Sequence, residues 1–165
     1  MSVNWYALLV KPNHEKVVFE HLRVAGVDAS LPLYRDRRRW SDRIQEVTLP
    51  LFPGYVFSRF SYDSRVRVLR IPSVRSIVGS GRDPAPIPDS EIAAVESMVS
   101  SGLPIKPWPF LKIGQTVRVV SGPLRGLEGI LVEFRKTWQV VVSVELLHRS
   151  VAAEVDRDAV VPVAL

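Results

Sequence analysis

The chain has 165 residues, with 22 Lys and Arg against 17 Asp and Glu, for a net charge of +5. Apolar residues make up 47%, enough for a packed core and against wholesale disorder, while the basic balance permits nucleic acid or an acidic surface as partner. Cysteine is absent, which excludes a disulfide framework and a thiolate metal site and suits a reducing, cytoplasmic setting.

The N-terminal MSVNWYALLVK lacks a basic n-region, so no secretory signal is expected. No run approaches the roughly 18–20 apolar residues of a membrane span. Trp5 to Val10 is a continuous apolar run, the pattern of a central strand, and Pro12 stops it. Asn13 is placed to cap a helix over HEKVVFEHLRVA, ending at Gly26, with Val18, Leu22 and Ala25 on one stripe. His14 and His21 share an edge of that helix. Leu31 to Tyr34 reads as a short strand. RDRRRWSDR, residues 35–43, holds five arginines and no apolar periodicity, and reads as a projecting basic arm or hairpin tip.

LPLFPGYVFSRF, residues 49–60, reads as a strand from Tyr55 onward. Val56 and Phe60 point one way, Tyr55 and Phe57 the other. A half-exposed strand has one polar face, and here both faces carry bulk. The second face must therefore be covered, by the protein itself or by a partner. Residues 63–72 show both a Val66–Val68 alternation and an i, i+3 pair of Val66 and Leu69; the pair, with Asp63 as a cap and Pro72 as a stop, favours a short helix. VRSIVG, 74–79, is a strand. DPAPIPD, 83–89, is a rigid connector, and Asp89 is placed to cap a helix with Ile92, Val95 and Val99 on one face.

SGLPIKPWPF, residues 101–110, carries three prolines and a glycine and reads as a linker between a domain at 1–100 and another at 111–165. Beyond it the pattern is entirely β, with turn residues at short intervals, as in a small antiparallel barrel. Val140, Val142 and Val144 fill its interior, and Leu146 continues that face. Leu147 starts a turn and is expected to be exposed.

Enzyme chemistry finds no support. His14, His21 and His148 lie far apart without an accompanying metal pattern. Gly122, Gly126 and Gly129 do not match a phosphate-binding loop and read as turn and bulge positions of a hairpin. No nucleophile elbow is present, and no cofactor or metal is expected.

Two blocks resemble known modules. IGQTVRVVSGPLRGLEGILVEF, 113–134, resembles the KOW motif. WYALLVKPNHEKVVFEHL, LFPGYVF and PAPIPDSEI resemble the N-terminal domain of the NusG family, and their order with the KOW block covers nearly the whole chain. LPLFPGYVF and SVELLHRSVAAEV look closest to the UpxY-like and RfaH-like antiterminator branch. The resemblance implies an α+β protein: an N-terminal α/β sandwich with an antiparallel sheet, then an SH3-like KOW barrel. It implies a monomeric elongation factor that promotes antitermination, with Leu9, Phe52, Tyr55 and Phe57 docking on the clamp helices of RNA polymerase. Lys11, His14, His21 and Arg75 would face the non-template DNA strand. The family's Ile-Phe-Gly-Arg turn, which meets Rho or a small-subunit ribosomal protein, falls on Leu146, Leu147, His148 and Arg149, so its Phe and Gly are missing here. The alternatives are a ribosome-associated or RNA-binding KOW protein, and a housekeeping NusG acting in Rho-dependent termination.

Overall fold

The N-terminal apolar run forms β1 (Val3–Val10), the centre of an antiparallel sheet ordered β2-β5-β1-β6. Its partners are β2 (Asp28–Ser30), β5 (Tyr55–Ser61) and β6 (Val74–Ile77). The structure is a computed structural model and describes residues 2–80 and 83–163. Strand alternation splits the apolar residues of this sheet between its faces. Tyr6, Leu8, Val10, Val56 and Phe60 form one cluster with Val18 and Leu22 of α1 (Glu15–Val24) and Val68 of α2 (Arg65–Leu69). Ala7 and Phe57, on the other face, join Ile92, Val95 and Met98 of α3 (Asp89–Ser100).

Helix α1 ends where Gly26 adopts φ +76°. There the Gly26 N–H reaches the Arg23 carbonyl and the Val27 N–H reaches that of Leu22, so the last carbonyls are satisfied before the chain turns. Several local expectations about helix caps and faces fail: Asp63 lies within a 3-10 turn and Ser64 is the cap of α2. Asn13 does not cap α1; it sits at φ +68° in the preceding turn, and His14 occupies the cap position. Asp89 is the first helical residue behind Pro88, and Met98 is buried where Val99 was expected, Val99 being exposed.

The arm is a complete hairpin of β3 (Leu33–Trp40) and β4 (Arg43–Pro50), paired from Leu33–Pro50 to Trp40–Arg43. β7 (Gly79–Ser80) and β8 (Asp83–Pro84) make a short second hairpin.

The C-terminal half is a six-stranded antiparallel sheet ordered β14-β10-β11-β12-β13-β9. Its strands are β9 (Ile105–Trp108), β10 (Gln115–Val119), β11 (Glu128–Phe134), β12 (Thr137–Val144), β13 (Arg149–Val155) and β14 (Val160–Pro162). The stretch expected to be a linker thus supplies an edge strand. Pro107 is tolerated there because β9 has a neighbour on one side only. Trp108 stacks edge-on against Phe134, with ring centres 5.3 Å apart. Gly126 takes φ +94° in the β10–β11 turn. Gly129 lies within β11, where a Cβ would stand 2.6 Å from the Val141 carbonyl oxygen, so only glycine lets β11 and β12 approach this closely.

Candidate functional site

The second face of the N-terminal sheet carries Trp5, Ala7 and Leu9 of β1 and Tyr55, Phe57 and Arg59 of β5. Leu9 is paired with Tyr55, and Ala7 with Phe57. Directly opposed side chains of this kind sit within contact distance across the strands. The loop before β5 folds over the same face. Its Leu51 and Phe52 are buried, and Phe52 meets Phe57 edge to face at 5.2 Å. Gly54, at φ +89°, fixes the loop by two bonds: its carbonyl accepts the Val10 N–H at 2.9 Å, and its N–H donates to the Glu15 carboxylate at 3.0 Å. Glu15 is itself buried. It ties the first turn of α1 to a loop 39 residues away, and no local pattern in the sequence signals that bond.

Four residues were expected to be displayed on this face, and the outcome differs among them. Phe52 and Phe57 are 1% and 0% exposed, so they belong to the core. Leu9 and Tyr55 are half-buried. What covers the face is α3 together with the C-terminal half. One continuous apolar cluster runs from Phe52, Phe57, Ile92, Val95 and Met98 into Val142, Val144, Leu147 and Val151. The guanidinium of Arg149 lies over the Tyr55 ring at 5.6 Å. The Glu145 N–H donates to the Glu91 carboxylate of α3 at 3.3 Å.

The turn between β12 and β13 therefore meets the face it was expected to act apart from. Glu145–Leu147 form a single 3-10 turn. Leu147, expected to be exposed, is only 9% exposed, because its side chain enters the shared cluster. Leu146 is half-buried against the same cluster. His148 adopts the left-handed conformation (φ +49°, ψ +46°), and its ring packs edge-on against Phe110 at 4.9 Å. Burial pushes the Glu91 carboxyl above its ordinary range; the Glu145 N–H opposes this, and the Glu145 carboxylate adds to it. Glu145 is itself held below the ordinary range by its hydrogen bond to Lys112, 2.7 Å away.

Lys11, His14 and Arg75 gather at one end of the sheet, where β6 runs beside β1 through the Val10–Val74 pair. Lys11 and Arg75 are exposed, while half-buried His14 shares a 2.9 Å hydrogen bond between its Nδ1 and the Ser73 hydroxyl. His21 is exposed two turns further along α1, about 10 Å from His14. Among the described residues no group of three or more His, Asp or Glu could hold a metal ion. No described helix is long and apolar enough to cross a membrane.

The family model described as "Transcription termination factor nusG" matches residues 3–96. The transcription termination/antitermination protein NusG of Pseudomonas aeruginosa is 28% identical, the alignment covering 94% of this chain and 96% of that protein. Its Helicobacter pylori (strain ATCC 700392 / 26695) counterpart is 24% identical, over 80% of this chain and 82% of that protein. A solved structure described as "Domain interaction in Thermotoga maritima NusG" aligns over 99% of both chains with a TM-score of 0.60 at 24% identity, a likeness of fold.

Proposed function

The chain belongs to the NusG family of transcription factors, and on that premise we propose that it is an elongation factor that binds RNA polymerase and promotes antitermination at particular operons. Its action is binding, with no catalytic step. The N-terminal half docks on the clamp helices through Leu9 and Tyr55, with Phe52 and Phe57 beneath them. It bridges the cleft and disfavours pausing. The Lys11, His14, His21 and Arg75 edge faces the displaced DNA strand. The C-terminal half, an SH3-like KOW barrel in this reading, recruits a second protein through Leu146–Arg149.

The observation that carries the reading is the paired face of Leu9 and Tyr55, backed by a sealed Phe52–Phe57 core and covered by the very turn that is to recruit the second partner. Apolar faces of this kind are covered by something, and here the cover is a separate half of the chain held by few polar contacts. Each surface then blocks the other until the halves part. The Thermotoga maritima relative is itself described by a domain interaction, which supports reading the packing in this way.

The test is a run-through transcription assay on purified polymerase with the full-length protein, with and without Rho. Increased read-through past a Rho-dependent site is expected. Increased termination would instead favour the housekeeping reading, to which the general NusG relatives point. No effect on polymerase in either arm would overturn both.

A further inference from the structure

Hairpin β3–β4 touches the shared cluster only at its base, where Tyr34 packs against it, and its outer half lies apart from the surfaces above. Its paired strands span eight residues each, so the ribbon is about 27 Å long. Alternation places Arg35, Arg37 and Arg39 on one face, about 6.8 Å apart, with Thr48, Glu46 and Ile44 opposite them. Arg38 and Arg43 lie on the other face. Two acidic side chains along the middle of the ribbon are engaged: Glu46 lies 3.5 Å from Arg35, and Asp36 lies 3.7 Å from Arg38, while Asp42 is exposed at the tip. Toward the tip, Arg37, Arg39 and Arg43 are exposed and have no ion pair among the described residues. Arginines not used for stability on an exposed ribbon are available to a polyanion.

We propose that the β3–β4 ribbon is a duplex-DNA-binding arm, lodged along a groove with Arg37, Arg39 and Arg43 on backbone phosphates. The major groove of B-DNA, about 12 Å wide, admits a two-stranded ribbon. Charge complementarity selects the occupant, since the exposed cations of the tip half match a polyphosphate backbone. Arginine on phosphate fixes position without reading sequence, so binding is insensitive to base order. The inference does not depend on how the chain meets polymerase.

The experiment titrates the full-length protein against a labelled DNA duplex of arbitrary sequence while salt is varied. Three phosphate contacts give a log–log slope of about −2.7. The variant Arg37→Gln/Arg39→Gln/Arg43→Gln should lose at least tenfold in affinity at low salt, with the slope moving close to zero. A charge-matched control, Arg125→Gln/Arg135→Gln/Lys136→Gln, removes three cations from turns of the C-terminal half and should change affinity less than threefold. Equal losses in both variants would make the attraction a matter of net charge and overturn the proposal. So would an unchanged arm variant, or one that loses polymerase binding while keeping duplex binding. Equal arm-dependent affinity for an RNA duplex, whose major groove is deep and narrow, would overturn the groove-lodged geometry. Unchanged melting of the arm variant shows that a loss is local, since none of its three side chains is in the core.

Discussion

Phe57 and Tyr55 stand two residues apart on one strand face, yet they ask for different experiments. Phe57 is fully buried and Tyr55 is half-buried. Phe57→Ala should cost about 3–5 kcal/mol of folding stability, the range for emptying a buried aromatic site. Urea unfolding measures it, and a cost below about 1 kcal/mol would mean that the ring is not core. Tyr55→Ala should leave the fold nearly intact. Its effect on polymerase is best read against Arg149→Ala, so that the loss of the covering contact is already present in the reference. In that background a central aromatic anchor contributes roughly 2 kcal/mol or more, a loss of about 30-fold. The alternation of 49–60 made the two-sided bulk of this strand legible from sequence. It did not say which aromatics would be sealed, because that depends on the Leu51–Phe52 loop folding back over the face and on α3 closing over it from elsewhere in the chain. The Glu15–Gly54 bond was invisible for the same reason.

At the scale of elements, amphipathic and composition signals fared well and proline misled. The stripe of α1 and the basic arm followed from local pattern. The prolines of 101–110 suggested a flexible tether, but an edge strand has a free side on which a missing N–H costs nothing, and β9 occupies such an edge. The consequence is that α3 leads through only a few residues into the C-terminal sheet, and the two elements meet at Glu91 and Glu145. Glu91 titrates higher in the closed arrangement than it would with the halves apart, chiefly through burial. A raised carboxyl value means that closing favours the protonated form. Its support for closing is complete below the ordinary carboxylate range and is lost as pH rises through the raised value. Glu91 is only partly buried, so the effect is small and screened. The absence of native cysteine allows one engineered pair to carry fluorophores on the two halves. Their energy transfer should fall modestly as pH rises through that window, and Glu91→Gln should flatten the dependence. An identical pH profile in Glu91→Gln would assign the response to another group.

Across the whole molecule, what the sequence concealed was that the β1–β5 face and the turn between β12 and β13 pack against each other. Tyr55 and Arg149 are 94 positions apart, and no periodicity links them. Closing must outweigh the freedom lost when two halves joined by a short segment stop moving independently. Its apolar part resembles a domain interface, but its polar part among the described residues is slight: one guanidinium over a ring and one N–H on a carboxylate. A partly exposed cation–π contact contributes about 0.5–1 kcal/mol. Arg149→Ala should therefore shift the balance toward the open form about two- to fivefold, without melting either sheet. A compact chain of this length has a radius of gyration of about 15 Å, and opening raises it. Small-angle scattering should accordingly report a larger mean radius for Arg149→Ala, and affinity for polymerase should rise by the same two- to fivefold factor, because a binding-competent fraction scales the apparent dissociation constant directly. Leu147→Asp should open the chain further, since a carboxylate cannot remain in the shared cluster at tolerable cost. The two substitutions act on the same closure, so their effects on scattering and on polymerase affinity should rank alike. A larger radius with unchanged polymerase affinity would show that the covered face is not the polymerase-binding one.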